Sequence, residues 1–253
     1  MIGFVRQVAP TLERCELSFL PRVAIDVARA QRQHAQYVEA LSARGCRIEW
    51  LAPLPEHPDG VFVEDTAVIV AELAVISRPG APSRRGEVAS VARALGEHLA
   101  VRELTEPACL EGGDVLRIGR TFHVGVSGRS NAAGSAQLAE ILGPLGYTVR
   151  GVAMRGCLHL KSACTFIPPD TLLANPDWVD PAAFGAPRVI TVHPQEPYAA
   201  NTLTVGDVTL VSRAYPRTEE RLAAAGIRTC SLEVDELHKA EAALTCLSLL
   251  LEC

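Results

Sequence analysis

The sequence feature that most restricts the fold is a recurrence of two short apolar runs, then an amphipathic helix, then one more strand-like run. Paired runs stand at 67–70 and 73–76, 115–118 and 121–124, 163–167 and 171–174, and 202–205 and 208–211. Several are joined by hairpin signals, as at Gly119-Arg120 and Gly206-Asp207. Apolar periodicity predicts helices over about 22–44, 85–98, 130–145, 176–184 and 217–225. Starts at Ser130-Asn131 and Pro216, and ends at Gly45, Gly146 and Gly226, fit the preferences of helix caps. Each helix leads to a strand, at 47–51, 101–104, 147–152, 188–192 and 227–232. A fifth pair is completed only by joining the ends of the chain, 2–5 beside 244–251. A unit of roughly 40–50 residues belongs to propellers or solenoids. A linear stack needs polar capping repeats, and the terminal runs here are apolar, so the sequence predicts a ring. An open doubly wound α/β sheet would show single strands between helices rather than hairpin pairs. No linker interrupts the series, so one domain over 1–253 is expected.

With 48% hydrophobic residues, the 253-residue chain has ample material for a core. A formal net charge of -5 and the absence of a basic run longer than Arg84-Arg85 argue against a nucleic-acid partner. The apolar stretch 61–76 is broken by Glu64, Asp65 and Glu72, so no membrane span is expected. The first residues lack the basic-then-apolar order of a signal peptide, and a cytoplasmic location is expected. Eight cysteines without a C-x-x-C pair or zinc-finger spacing read mostly as small buried hydrophobes, not as a disulfide framework.

Local sequence makes Cys246, in Leu244-Thr245-Cys246-Leu247, an ordinary buried-strand thiol. Likewise, His159 between two leucines reads as a hydrogen-bonded core histidine. Their functional reading depends on each other. A thiolate nucleophile needs a cation or base beside it, a departing amine needs a proton donor, and one histidine serves both needs. In Glu111-Gly112-Gly113-Asp114 the glycines permit close backbone approach, and a flanking carboxylate can orient an imidazole. Asp59, Phe62, Glu64 and Asp65 lie in a segment read as extended, with Phe62 and Glu64 on one face and Asp65 on the other. Adjacent acids at the end of an apolar strand suit a cationic ligand, or simply a solvated strand end. Arg84 and Arg129 occupy matching places between a hairpin and the next helix, where a ring would turn both to one face. Arginine's planar fork suits a carboxylate. Acids for a cation, arginines for a carboxylate and a Cys/His pair together describe a zwitterionic amino acid with a cationic side chain. No H-E-x-x-H or paired Cys/His spacing is present, so no metal site is expected.

The ordered segments Ile25-Asp26-Val27-Ala28-Arg29-Ala30, Phe62-Val63-Glu64-Asp65, Arg78 to Arg85, Gly112-Gly113-Asp114, Leu158-His159-Leu160-Lys161-Ser162, Ala199-Ala200-Asn201 and Leu244-Thr245-Cys246 resemble dimethylarginine dimethylaminohydrolase. That family belongs to the guanidine-modifying superfamily, with arginine deiminases and amidinotransferases. The resemblance implies a five-bladed α/β propeller of pseudo-five-fold ββαβ repeats, in agreement with the repeat count. It implies Cys246 as nucleophile, His159 as acid and base, and Glu111 as the group that orients it. Glu64 and Asp65 would receive the guanidinium beside Phe62, Asp59 the amino group, and Arg84 and Arg129 the carboxylate. An N-terminal lid would bring Leu17 over the site. The implied reaction is hydrolysis of methylated arginine to citrulline and an amine, without a cofactor. The implied partner is a small guanidino amino acid, with a homodimer as the assembly left open. A deiminase, an amidinotransferase or a catalytically silent binding relative remains open, as does adventitious zinc between Cys246 and His159. The resemblance departs at Glu241-Ala242-Ala243, where the family often has glycine; alanine takes positive φ less freely, so the resemblance does not fix the loop geometry beside Cys246 or the width of substrate accepted.

Overall fold

The computed structural model describes residues 1–252; Cys253 lies outside them. Fifteen strands form five three-stranded sheets. In chain order they are β1 (Ile2–Val5), β2 (Arg47–Trp50), β3 (Ala67–Ile69), β4 (Leu73–Ile76), β5 (Ala100–Glu103), β6 (Val115–Ile118), β7 (Thr121–Gly125), β8 (Thr148–Val152), β9 (Cys164–Ile167), β10 (Thr171–Ala174), β11 (Arg188–Thr191), β12 (Leu203–Val205), β13 (Val208–Ser212), β14 (Thr229–Leu232) and β15 (Leu249–Leu251). Every sheet repeats one pattern: the first strand runs antiparallel to the second, and the second parallel to the third. The first sheet, β15-β1-β2, takes its first strand from the far end of the chain, with Ile2 opposite Leu251 on one side and Arg47 on the other.

The hairpins close where Gly119 and Gly206 take positive φ, a conformation that glycine adopts without a side-chain clash. Second strands are the most buried, as in Leu73–Ile76 and Thr171–Ala174, whereas third strands such as Arg188–Thr191 expose alternate residues. Neighbouring sheets share their cores. Phe4 and Leu249 of one sheet pack with Ala74 and Ile76 of the next and with Val91 and Leu95 of a helix. Leu116 of the third sheet joins Cys164, Leu172 and Ala174 of the fourth. First strands of successive sheets also approach, β15 beside β3, β6 beside β9 and β9 beside β12. This is the mixed α/β, five-sheet, propeller-like arrangement anticipated from the repeats.

Four of the expected helices form: α1 (Val27–Ser42), α2 (Val88–Gly96), α3 (Ala132–Leu142) and, after the one-turn α4 (Leu160–Ala163), α5 (Pro216–Ala224). Asp26 caps α1 by accepting from the Arg29 N–H, and Asn131 caps α3 by accepting from the Gly134 N–H. The helix expected over 176–184 shrinks to a 3-10 turn, Pro181–Phe184. Pro181 fixes its start and Gly185, at φ 63, ends it four residues later, leaving room for a single turn. A short helix absent from the sequence expectation, α6 (Asp235–His238), leads toward Cys246. The seven described cysteines are free thiols, and no described helix is long and apolar enough to cross a membrane.

Candidate active site

The site is assembled from one recurring position, the turn by which the chain enters the first strand of a sheet. Four such entries are short helical turns: Val63–Thr66 before β3, Gly112–Asp114 before β6, α4 before β9, and Thr245–Leu247 before β15. The fifth, before β12, carries Asn201. These turns bring Asp65, Glu111, His159, Asn201 and Cys246 to the same end of the five sheets. The segments of Glu64, His159 and Cys246, read from sequence as extended, are thus turns instead. A chain reversing into a strand cannot stay extended, and three or four residues are too few to show a helical period.

His159 stands at the N-cap of α4, and its surroundings fix its ring. Its Nε2 donates to Glu111 Oε2 at 2.7 Å, and its Nδ1 lies 3.9 Å from Asp65 Oδ1. Asp114 anchors the backbone beneath it by accepting from the Leu160 N–H at 3.0 Å, and Ser127 donates to the other Asp114 oxygen. Burial alone would strip the imidazole of its proton, but the charges of Asp65, Asp114 and Glu111 outweigh it and raise the group to about 9. In return, although burial works the other way, His159 and Arg84 hold Asp65 down at about 2, and the His159 hydrogen bond lowers Glu111. Gly113 is glycine because of this crowding: a Cβ there would lie 2.7 Å from Asp65 Oδ1 and 2.8 Å from His159 Nδ1.

Cys246 is buried in its 3-10 turn, where the Ala243 N–H reaches its Sγ at 3.4 Å. Burial, then the negative charges of Glu64 and Asp65, push the thiol far above its ordinary range, so it is protonated in the free protein. The preceding Thr245 is tied into a closed network. Its N–H donates to Asn201 Oδ1 at 3.0 Å, and its hydroxyl donates to Glu64 Oε2 at 2.6 Å while receiving the Asn201 amide at 2.9 Å. Lys161 closes the loop, donating to Glu64 Oε1 at 2.6 Å and accepting from Asn201 through its carbonyl. Asn201, Thr245, Lys161 and Asp114 were not singled out as site residues from sequence, although Ala199-Ala200-Asn201 and Leu158 to Ser162 stood out as segments.

Cys246 and His159 face one narrow cleft, whose walls also include Glu16, Asp59, Phe62, Asp65, Arg84, Arg129 and Glu241. Asp59 accepts from the Glu16 N–H with both oxygens and, chiefly through burial, is raised to about 6. Phe62 is buried beside it. Arg84 is held by the protein itself, donating to Asp65, to both oxygens of Glu87 and to the Phe62 carbonyl. Arg129 contacts Glu111 through Nη1 at 3.4 Å, and its Nε and Nη2 have no partner among the described residues. Of the two arginines expected to meet a carboxylate, Arg129 therefore has the freer fork. Glu64 does not line this cleft. Both its oxygens are engaged beneath Cys246, and the residue borders a cavity on the opposite side with Lys161 and Thr245. Successive residues of a tight turn point apart, which separates it from Asp65. Leu17 is half-buried against the core cluster that contains Cys246, while its neighbour Glu16 lines the cleft.

The ligand atoms of Asp65, Glu111 and His159 lie within 4.8 Å of one another, close enough to hold a cation. The chemistry disfavours it, because a ligating imidazole must shed the proton these carboxylates stabilise, and Arg84 and Arg129 already neutralise them.

A Cys/His pair among buried carboxylates and arginines, on five three-stranded sheets, defines the class of guanidine-modifying α/β enzymes. No family model matches the chain. The dimethylarginine dimethylaminohydrolase of Streptomyces coelicolor is 40% identical over 248 residues, which is 97% of this chain and 95% of that protein. That of Pseudomonas aeruginosa is 34% identical over 226 residues, 88% and 89% of the two chains. The solved structure of the Pseudomonas aeruginosa enzyme, a cysteine-to-serine variant complexed with citrulline, superposes with a TM-score of 0.92 at 31% identity, covering 98% of this chain and 97% of that one. The N-terminal domain of a cyanobacterial arginine dihydrolase, at 21% identity and TM-score 0.86, shares the fold. The chain belongs to the dimethylarginine dimethylaminohydrolase family.

Proposed function

We propose that this chain hydrolyses N-omega-methylated arginine to citrulline and dimethylamine or methylamine, with Cys246 as nucleophile, His159 as acid and base, and Glu111 as the group that orients His159. The observation carrying this reading is that His159, held protonated by carboxylates, shares a cleft with a buried thiol whose proton Glu64 and Asp65 help retain.

A guanidinium entering the cleft adds positive charge beside Cys246, offsetting Glu64 and Asp65, which disfavour the thiolate. The thiol releases its proton to bulk water as the cation enters, and the thiolate sulfur bonds to the guanidinium carbon while the carbon–nitrogen π pair moves onto nitrogen. His159 then protonates the departing nitrogen and the carbon–nitrogen bond breaks, leaving an S-alkylthiouronium on Cys246. Neutral His159 next takes a proton from water, whose oxygen attacks the same carbon; the carbon–sulfur bond breaks, the hydroxyl proton of the intermediate passes to sulfur, and citrulline and the Cys246 thiol are released. The Asp65 charge lies closest to the cation, with Phe62 as an apolar wall. Glu64 acts through the field it exerts from below and through Thr245, which positions the nucleophile. At the other end, Arg129 offers its free N–H groups to the substrate carboxylate, and Asp59 accepts from the amino group; Arg84 mainly fixes Asp65.

Incubation with asymmetric dimethylarginine, monomethylarginine and arginine, followed by identification of the amine, tests the reading. Dimethylamine and methylamine with citrulline are expected. Ammonia from arginine as the main product would make the chain a deiminase, and transfer of the amidino group without citrulline would make it an amidinotransferase.

A further inference from the structure

Glu241 is the one non-glycine residue with positive φ among those described, at 58°. It follows α6 at a place where helices usually end on glycine: the Ala242 N–H bonds back to the Leu237 carbonyl, and the Glu241 N–H to that of His238. A glutamate there keeps a backbone conformation that its side chain disfavours. What it gains is the aim of its carboxylate. One oxygen accepts from the Ser18 N–H at 2.9 Å and the other from the N–H groups of Phe19 and Leu20. Three successive amides thus converge on one buried-edge carboxylate, a charge-assisted arrangement.

The amides belong to a strap, residues 16–20, anchored at both ends to side chains that line the cleft. Its other end is tied to the opposite wall, where the Glu16 N–H donates to the Asp59 carboxylate and Ser83 donates to the Glu16 side chain at 2.6 Å. Glu16, Asp59, Glu241 and Cys246 all line the same cleft. Beyond Glu241, Phe19 and Leu20 border a neighbouring cavity with Tyr198, His238 and Ala242.

We propose that Glu241 is a positioning residue for substrate binding, clamping residues 18–20 so that the strap covers the cleft and holds Asp59 in register for the substrate's amino group. This deepens the functional reading above and rests on it. The clamp acts on binding more than on the chemical step, because neither Cys246 nor His159 touches it.

The test compares wild type with Glu241→Gln, which keeps the shape and loses the charge, with Glu241→Gly, which relieves the backbone and removes the clamp, and with Glu241→Asp as the conservative variant. Steady-state kinetics with asymmetric dimethylarginine and trypsin cleavage after the exposed Arg22 are both measured. The proposal predicts that KM rises about tenfold in the Gln and Gly variants, that kcat falls by less than KM rises, that Arg22 is cut faster, and that Asp restores part of both effects. Unchanged KM with faster cleavage would overturn it, as would a loss confined to kcat or unchanged cleavage in the Gly variant. If wild type itself fails to turn over methylated arginine, the functional reading fails, while the cleavage rates still report on the clamp.

Discussion

His159 carries its proton well past neutrality because three carboxylates outweigh the cost of its burial. The free protein therefore loses the proposed acid only as pH rises through about 9, and kcat/KM is expected to fall there. The sign for stability is the same. The folded value lies above the ordinary 6.5, so this contribution is complete below about pH 6.5 and disappears toward pH 9. Thermal melts across pH 6–10 check it, and His159→Gln should flatten that slope. At Gly113 the prediction is steric. A Cβ would press on the imidazole, so Gly113→Ala should cut kcat roughly a hundredfold, in keeping with the cost of misplacing a catalytic group by about an ångström. Sequence exposed Glu111, Asp65, His159 and Cys246 through family motifs, but not the direction each side chain faces. Glu64 and Asp65 are neighbours in sequence and end on opposite sides of the turn. In the segment before Cys246 where the family resemblance departs, positive φ falls on Glu241, not on Ala242 or Ala243.

The entry turn is the element that converts a repeating fold into a site. Strand pairs and third strands were legible to within a residue or two, because short apolar runs and turn residues mark them; the exception is the last run, expected over 244–251, which is a strand only at Leu249–Leu251. The entry turns were not, since their three or four residues carry no period and their hydrogen bonds reach across the chain. Asn201 illustrates the loss: an asparagine after two alanines looks like a loop residue, yet it joins the turn of Cys246 to that of His159 through Thr245 and Lys161. Asn201→Ala leaves the buried Thr245 N–H without its partner. It should cost about 1–3 kcal/mol in denaturant melts and lower kcat about tenfold with a smaller change in KM.

Across the whole molecule, the first and last strands meet in one sheet, and Cys246, the proposed nucleophile, stands three residues before that final strand. Placement of Cys246 is therefore coupled to closure of the sheet formed by residues near both ends. Leu249 is buried between this sheet and the next, so Leu249→Ala should cost about 2–5 kcal/mol, read as a lower denaturant midpoint with unchanged m-value. The repeat count gave this arrangement from sequence, whereas the missing helix of the fourth unit could not be foreseen without weighing Pro181 against Gly185. The central claim, that the Cys246 sulfur attacks the guanidinium carbon, is tested most directly by rapid acid quenching during turnover of asymmetric dimethylarginine, followed by peptide mass analysis. The account predicts a mass gain equal to substrate less dimethylamine on the peptide holding Cys246, and a loss of turnover of at least about a thousandfold in Cys246→Ser. Citrulline formed at an undiminished rate by that variant, or an adduct on another residue, would contradict it.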